Sequence, residues 1–237
     1  MSEEFPYPRF PIKRRILKSI GKIIFRSIAK IEIIGKENLP ETGPVIVVAN
    51  HFSFADPSIL IYALPWHLEF LAGTNRPAAP NKLTANMPEL WGVYNVQRGT
   101  SSRYAFNASS AIMKQNGILG IFPEGGSWAT VLRPARPGVP LITATSKAPI
   151  LPIGIDGMTN LFPVKPFNRP TVTLRVGKPF GPFEVTGRGK ERRAQLDQIG
   201  SEIMQKIAEL IPPEKRGIYS DDPKLVKAAE AVSEFPW

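Results

Sequence analysis

The stretch Val45-Ile46-Val47-Val48-Ala49-Asn50-His51-Phe52-Ser53-Phe54-Ala55-Asp56-Pro57 decides the fold of this 237-residue chain. Its first five residues are all apolar and read as a buried strand. Asp56-Pro57 followed by Ser58-Ile59-Leu60-Ile61-Tyr62-Ala63-Leu64 reads as a helix with Asp at the N-cap and Pro at its first position. A strand-to-loop transition therefore delivers His51. Outward from it, short apolar segments at Leu68 to Ala72, Trp91 to Val96, Ile118 to Phe122, Ile150 to Ile155 and Thr171 to Val176 read as strands. Ser101 to Gln115 reads as a helix ending at Asn116-Gly117, and Leu196-Ile199-Ile203-Ile207-Leu210-Ile211 marks an amphipathic helix stopped by Pro212-Pro213. The alternation predicts α/β: a single domain with a central mixed, largely parallel sheet flanked by helices, preceded by a basic amphipathic helical segment. The expected division is 1–36 for that segment, 37–211 for the domain and 212–237 for a tail with a short helix.

Forty-three per cent hydrophobic residues suffice for one sizeable core, and the 25 Pro are scattered as stiff turns rather than gathered in a linker. The chain has no Cys and two His. Disulfides, thiolate nucleophiles and the usual zinc sites are excluded, and no GxxxxGK[ST] loop is present for a nucleotide. We expect no metal and no bound cofactor.

A net charge of +10 favours anionic partners. Much of the excess lies in residues 9–36, where nine Lys and Arg face the single acid Glu32. On a helical wheel, Ile16, Leu17, Ile20, Ile23, Ile24 and Ile28 occupy an arc of roughly 160°, with Arg14, Arg15, Lys18, Lys22 and Arg26 opposite. Phe25 and Lys13 fall on the wrong sides. Such a helix suits an anionic membrane surface, although an Ile-rich face packs a core just as readily. Cations interrupt any signal-peptide core, and no apolar run reaches 18 residues, so membrane contact would be peripheral. Nucleic acid is not expected as a partner, since no recognition helix, aromatic RNA-binding strand or zinc module is recognisable.

His51 and Asp56 form a candidate base and orienting acid, because a carboxylate can cap a helix and still accept from an imidazole N–H. Phe122-Pro123-Glu124-Gly125-Gly126-Ser127-Trp128 again follows a strand, and its glycines allow backbone to approach a ligand closely. Gly125-Gly126-Ser127-Trp128-Ala129 approximates a nucleophile elbow. That fold needs its His after the Ser, whereas His51 and His67 both precede Ser127, so a serine hydrolase is excluded. Arg98, at the end of a predicted strand, is a candidate to fork onto a phosphate or carboxylate. His67 reads as structural.

Four blocks together resemble the glycerolipid acyltransferases, the lysophospholipid or 1-acylglycerol-3-phosphate acyltransferase family: Asn50-His51 to Asp56-Pro57 (NHxxxxD), Val96-Gln97-Arg98-Gly99, Phe122-Pro123-Glu124-Gly125, and Ala148-Pro149-Ile150-Leu151-Pro152-Ile153. Order and spacing agree from about residue 35 to 180. The resemblance implies an O-acyltransferase in which His51 deprotonates an acceptor hydroxyl and Asp56 holds the imidazole. It implies acyl-CoA or acyl carrier protein as thioester donor and a lysophospholipid acceptor, with Glu124 and Gly125 positioning the glycerol and Arg98 its phosphate. The long acyl chain favours the membrane reading of the basic helix, placing the protein peripherally on the cytoplasmic face of the cell membrane. One departure is visible. Where the family commonly continues Thr-Arg-Ser, this chain has Gly126, Ser127 and Trp128, and an expected Lys is missing from Gly73 to Met87. Arg133 or Arg136 would restore the lost charge, with Arg103 and Lys82 weaker candidates, or the acceptor carries no phosphomonoester.

Overall fold

The computed structural model describes residues 4–74, 86–96, 103–165 and 167–234. Among them the chain runs α1 (Pro11–Ile28), β1 (Lys30–Ile34), β2 (Val45–Ala49), α2 (Asp56–Ala63), β3 (Leu68–Gly73), α3 (Met87–Trp91), β4 (Tyr94–Val96), α4 (Arg103–Lys114), β5 (Ile118–Ile121), α5 (Gly138–Ser146), β6 (Ile150–Asp156), β7 (Thr171–Val176), α6 (Gly189–Ala208) and α7 (Pro223–Ala231). The described strands form one seven-stranded sheet in the order β1-β7-β6-β2-β5-β3-β4. All neighbours pair in parallel except β6 with β7. This is the expected mixed, largely parallel α/β domain.

The apolar run that fixes β2 sits at the centre of the sheet with both faces covered. Ile46 and Val48 join a core made with α4, α5 and α6, while Val45, Val47 and Ala49 join a second core with α2, Trp66, Trp91 and Phe25 of α1. Burying each Val or Ile on such a strand contributes roughly 1.5–3 kcal/mol, which is why the run tolerates no polar residue. Parallel strands end along the same edge, and there β2 releases His51, β5 releases Phe122, and β3 and β4 end at Gly73 and Val96.

Some elements differ from their sequence reading. Trp91 ends helix α3 rather than starting a strand, and α5 was not expected, because Pro137, Gly138 and Pro140 read as turns although Pro suits a first helical turn. Helix α4 closes as predicted: Asn116 adopts a left-handed φ of 55°, and the Gly117 N–H donates to Ile112 O at 2.9 Å.

Residue 36 is not a structural boundary. Strand β1 is an integral edge of the sheet, and Phe5, Arg14, Lys18 and Phe25 are buried against the domain. The tail is no appendage either, since Ile218 donates to Leu132 O, Ala229 is fully buried and α7 starts from an Asp222 cap.

Helix α1 is mounted the opposite way round from a core-packed amphipathic helix. Its buried stripe is Arg14, Lys18, Gly21 and Phe25, while Ile12, Ile16, Ile20, Ile23 and Ile24 are exposed, Ile12 and Ile23 at 75% and 71%. Phe25, on the wrong side of an apolar wheel, is on the packing side of this one. The buried cations are satisfied: Arg14 pairs with both oxygens of buried Glu69 and donates to Trp91 O and Gly92 O, and Lys18 donates to Leu64 O and Trp66 O. Positive charge thus sits at the C-terminal ends of α3 and α2, where the helix dipole favours it.

Candidate active site

His51 leaves β2 because Asn50 ends the ladder. The Asn50 side chain donates to Ile155 O at 2.9 Å and accepts from Ile155 N–H at 2.7 Å, replacing the next backbone rung toward β6. The turn then folds onto Asp56. One carboxylate oxygen, Oδ2, accepts from Phe52 N–H at 2.8 Å and Ser53 N–H at 2.7 Å and lies 3.1 Å from His51 Nδ1. A carboxylate only accepts, so Nδ1 carries a proton, and in the neutral imidazole the lone pair is on Nε2. Asp56 is the first residue of α2 rather than its N-cap, and its side chain turns back to the His51 loop instead of capping the helix. The imidazole also stacks on Phe122 with ring centroids 4.3 Å apart, so two contacts fix its plane.

Glu124 is fully buried, and both its oxygens are engaged by protein. Oε1 accepts from the His51 backbone N–H at 2.7 Å, and Oε2 accepts from Arg133 Nε at 2.9 Å. Arg133, itself buried, also donates to Gly126 O and lies under the Trp128 ring, 3.8 Å from its centroid. Burial pushes the Glu124 carboxyl up to about 7, against the pull of Arg133 and the His51 N–H, which favour the carboxylate. Arg136 donates to Glu124 O at 3.3 Å and to Ser233 O at 3.1 Å, while Trp128 Nε1 donates to Val232 O at 2.9 Å.

A cavity of about 940 Å³ opens beside His51. Gly125, Gly126 and Ser127 line it at the histidine end, and Ile61, Phe70, Leu71, Trp91, Val93 and Met158 give it an apolar wall reaching Leu17 of α1. Of the sequence-predicted residues, His51, Asp56, Glu124, Gly125, Gly126, Ser127, Arg133 and Arg136 therefore come together, but in two layers. Glu124 and Arg133, expected to touch substrate, lie in the wall behind His51, because each completes the other's buried charge. Arg136 supports the same loop. Arg103 begins α4 and is exposed, His67 is partly buried, and neither lines the cavity. Arg98 and Lys82 lie outside the described residues. Sequence reasoning missed Trp128 as the plate over Arg133 and Phe122 as the floor beneath His51, although both flank the glycines that drew attention.

The acyltransferase family model matches residues 30–156, more than half of the chain. The chain belongs to the acyltransferase family. A 1-acyl-sn-glycerol-3-phosphate acyltransferase of Borreliella burgdorferi is 30% identical over 139 residues, 56% of this chain and 54% of that protein. An uncharacterised protein of Mycobacterium leprae is 24% identical over 171 residues, 68% of this chain and 46% of that one. The chain thus spans about half the length of these curated relatives. In fold, it resembles the crystal structure of the 1-acyl-sn-glycerophosphate acyltransferase PlsC of Thermotoga maritima, with a TM-score of 0.55, 21% identity, and coverage of 83% of this chain and 79% of that one. The matched span of the acyltransferase domain contains β1 to β6 and both His51 and Glu124. It leaves α1 and the returning tail outside.

Proposed function

We propose that this acyltransferase moves a fatty acyl group from a thioester, acyl-CoA or acyl carrier protein, to the hydroxyl of a lysophospholipid. On this reading 1-acylglycerol 3-phosphate becomes phosphatidic acid. The observation that carries it is the His51 imidazole, held by Asp56 through Nδ1 and lining a deep apolar cavity. His51 takes the acceptor's hydroxyl proton, the freed oxygen bonds to the thioester carbonyl carbon, and the collapsing adduct expels the thiolate, which recovers the proton from the imidazolium. Asp56 stabilises that cation and fixes its tautomer. Gly125, Gly126 and Ser127 present backbone and one hydroxyl to the polar end, and the apolar wall receives an acyl chain. The exposed Ile stripe of α1, flanked by Arg15, Lys22 and Arg26, supports peripheral contact with an anionic membrane surface. Among the described residues no helix is long and apolar enough to cross a membrane.

One observation favours a second acceptor class. Among the described lining residues Glu89 is the one Asp or Glu and there is no Lys or Arg, while Arg133 and Arg136 are engaged within the wall. An acceptor without a phosphomonoester suits that lining. Purified protein with labelled acyl-CoA and a panel of 1-acylglycerol 3-phosphate, glycerol 3-phosphate, other lysophospholipids and phosphate-free hydroxyl lipids tests both. Transfer to the first supports the main reading, and preference for a phosphate-free acceptor selects the second. His51→Ala should lower turnover by about 10²- to 10⁴-fold with the fold intact. Full activity in that variant would overturn the role of His51 as the base, whereas no transfer from any thioester to any acceptor would remove the enzymatic reading and leave a lipid-binding protein.

A further inference from the structure

The connection between β6 and β7 holds large apolar side chains out of the protein. Phe162 and Val164 are exposed, and Phe167 is fully so, on backbone whose left-handed φ of 63° is costly for a bulky residue. At its near end this loop meets the active site. Phe162 lines the cavity and its ring lies 5.1 Å from that of Phe54, an exposed member of the His51 turn. At its far end Arg169 donates to Arg26 O and Ala29 O, capping the C-terminal end of α1. The loop and α1 are therefore joined, and both border one opening, α1 through Leu17 and the loop through Met158, Thr159 and Phe162.

We propose that Phe54, Phe162, Val164 and Phe167 form a second membrane-inserting edge, so that anionic bilayer meets the cavity mouth from both the loop and the Ile face of α1. This rests on the peripheral reading of α1 given above. Two features argue for lipid as the occupant. The cations Lys165 and Arg169 stand among the apolar residues, as Lys22 and Arg26 do on α1, in a chain of net charge +10. The Arg169 contacts also make the edge continuous with α1. Apolar patches of this kind on a lone chain mark interaction surfaces.

The absence of Cys allows single-site labelling of the full chain. Phe167→Cys, Ile20→Cys and Lys190→Cys, the last an exposed control on α6, each carry a polarity-sensitive thiol dye and are titrated with vesicles of phosphatidylcholine and phosphatidylglycerol. Blue shifts at 167 and 20, quenched by brominated acyl chains, with none at 190, support the proposal. A shift at 20 alone overturns the second edge while leaving α1 on the membrane. Shifts at neither overturn both. A shift at 167 without vesicles that grows with protein concentration also overturns it, in favour of self-association. Phe167→Ser, outside the cavity lining, should keep turnover of a short-chain monomeric acceptor and lose roughly tenfold in vesicle affinity. Unchanged affinity counts against the edge.

Discussion

Glu124 serves the site without touching the cavity. One oxygen holds the backbone N–H of His51 and the other holds Arg133, so losing Arg133 leaves a buried carboxylate without its ion-pair partner. Arg133→Met should cost about 3–5 kcal/mol, read from urea midpoints, and, on the proposed mechanism, lower kcat more than it changes KM, because His51 is misplaced rather than the substrate released. The double variant Arg133→Met/Glu124→Gln should regain much of that stability. Glu124 also makes folding pH-dependent. Burial raises its carboxyl from the ordinary 4.5 to about 7 in the folded protein, so the folded state binds more protons in between. Stability relative to Glu124→Gln should therefore fall as pH rises from about 4.5 to 7, by about 3 kcal/mol in all. A flat difference between urea titrations at pH 5 and 7.5 contradicts this. The blocks around His51 and Glu124 were legible because each couples a strand end to unusual residues. The wall role of Glu124 was not, since a carboxylate before two glycines looks the same whether its oxygens face substrate or protein.

Among the elements, the strands were the most readable, because Val45 to Ala49 is apolar on both faces, as a strand between two helical layers must be, and Thr171 to Val176 alternates, sending Val172, Leu174 and Val176 into one core. Helix α1 was readable as two-faced but not as to which face packs. A helical wheel ranks side chains by polarity, whereas Arg14 and Lys18 are buried because Glu69 and four carbonyl groups receive them. The consequence reverses the usual expectation for substitutions. Arg14→Leu, which makes the helix more apolar, should destabilise the protein by about 3–5 kcal/mol by leaving buried Glu69 without its ion-pair partner, held only by the Arg9 backbone N–H. Ile23→Gln, on the apolar stripe, should change thermal stability by no more than about 0.5 kcal/mol. It should nonetheless weaken sedimentation with anionic vesicles. A destabilised Ile23→Gln would mean that the stripe packs on protein.

At the scale of the whole molecule, the chain closes on itself around the site. Residues beyond Pro212 return so that Val232 and Ser233 accept from Trp128 and Arg136, pinning the loop that carries Gly126 and Ser127. Removing residues 223–237 should leave the circular dichroism of the sheet in place and lower kcat several-fold by loosening that loop. This closure was invisible in the sequence, where 212–237 reads as a tail, because it depends on single hydrogen bonds across roughly a hundred residues rather than on any local pattern. The Asn50 amide offers a way to watch the assembled site in solution. Because it clasps Ile155 where a strand neighbour would, the Ile155 amide proton should exchange with deuterium as slowly as those inside β6. In Asn50→Ala that one proton should exchange early while the rest of β6 stays protected, giving a spectroscopic clock for how long the histidine turn remains in place.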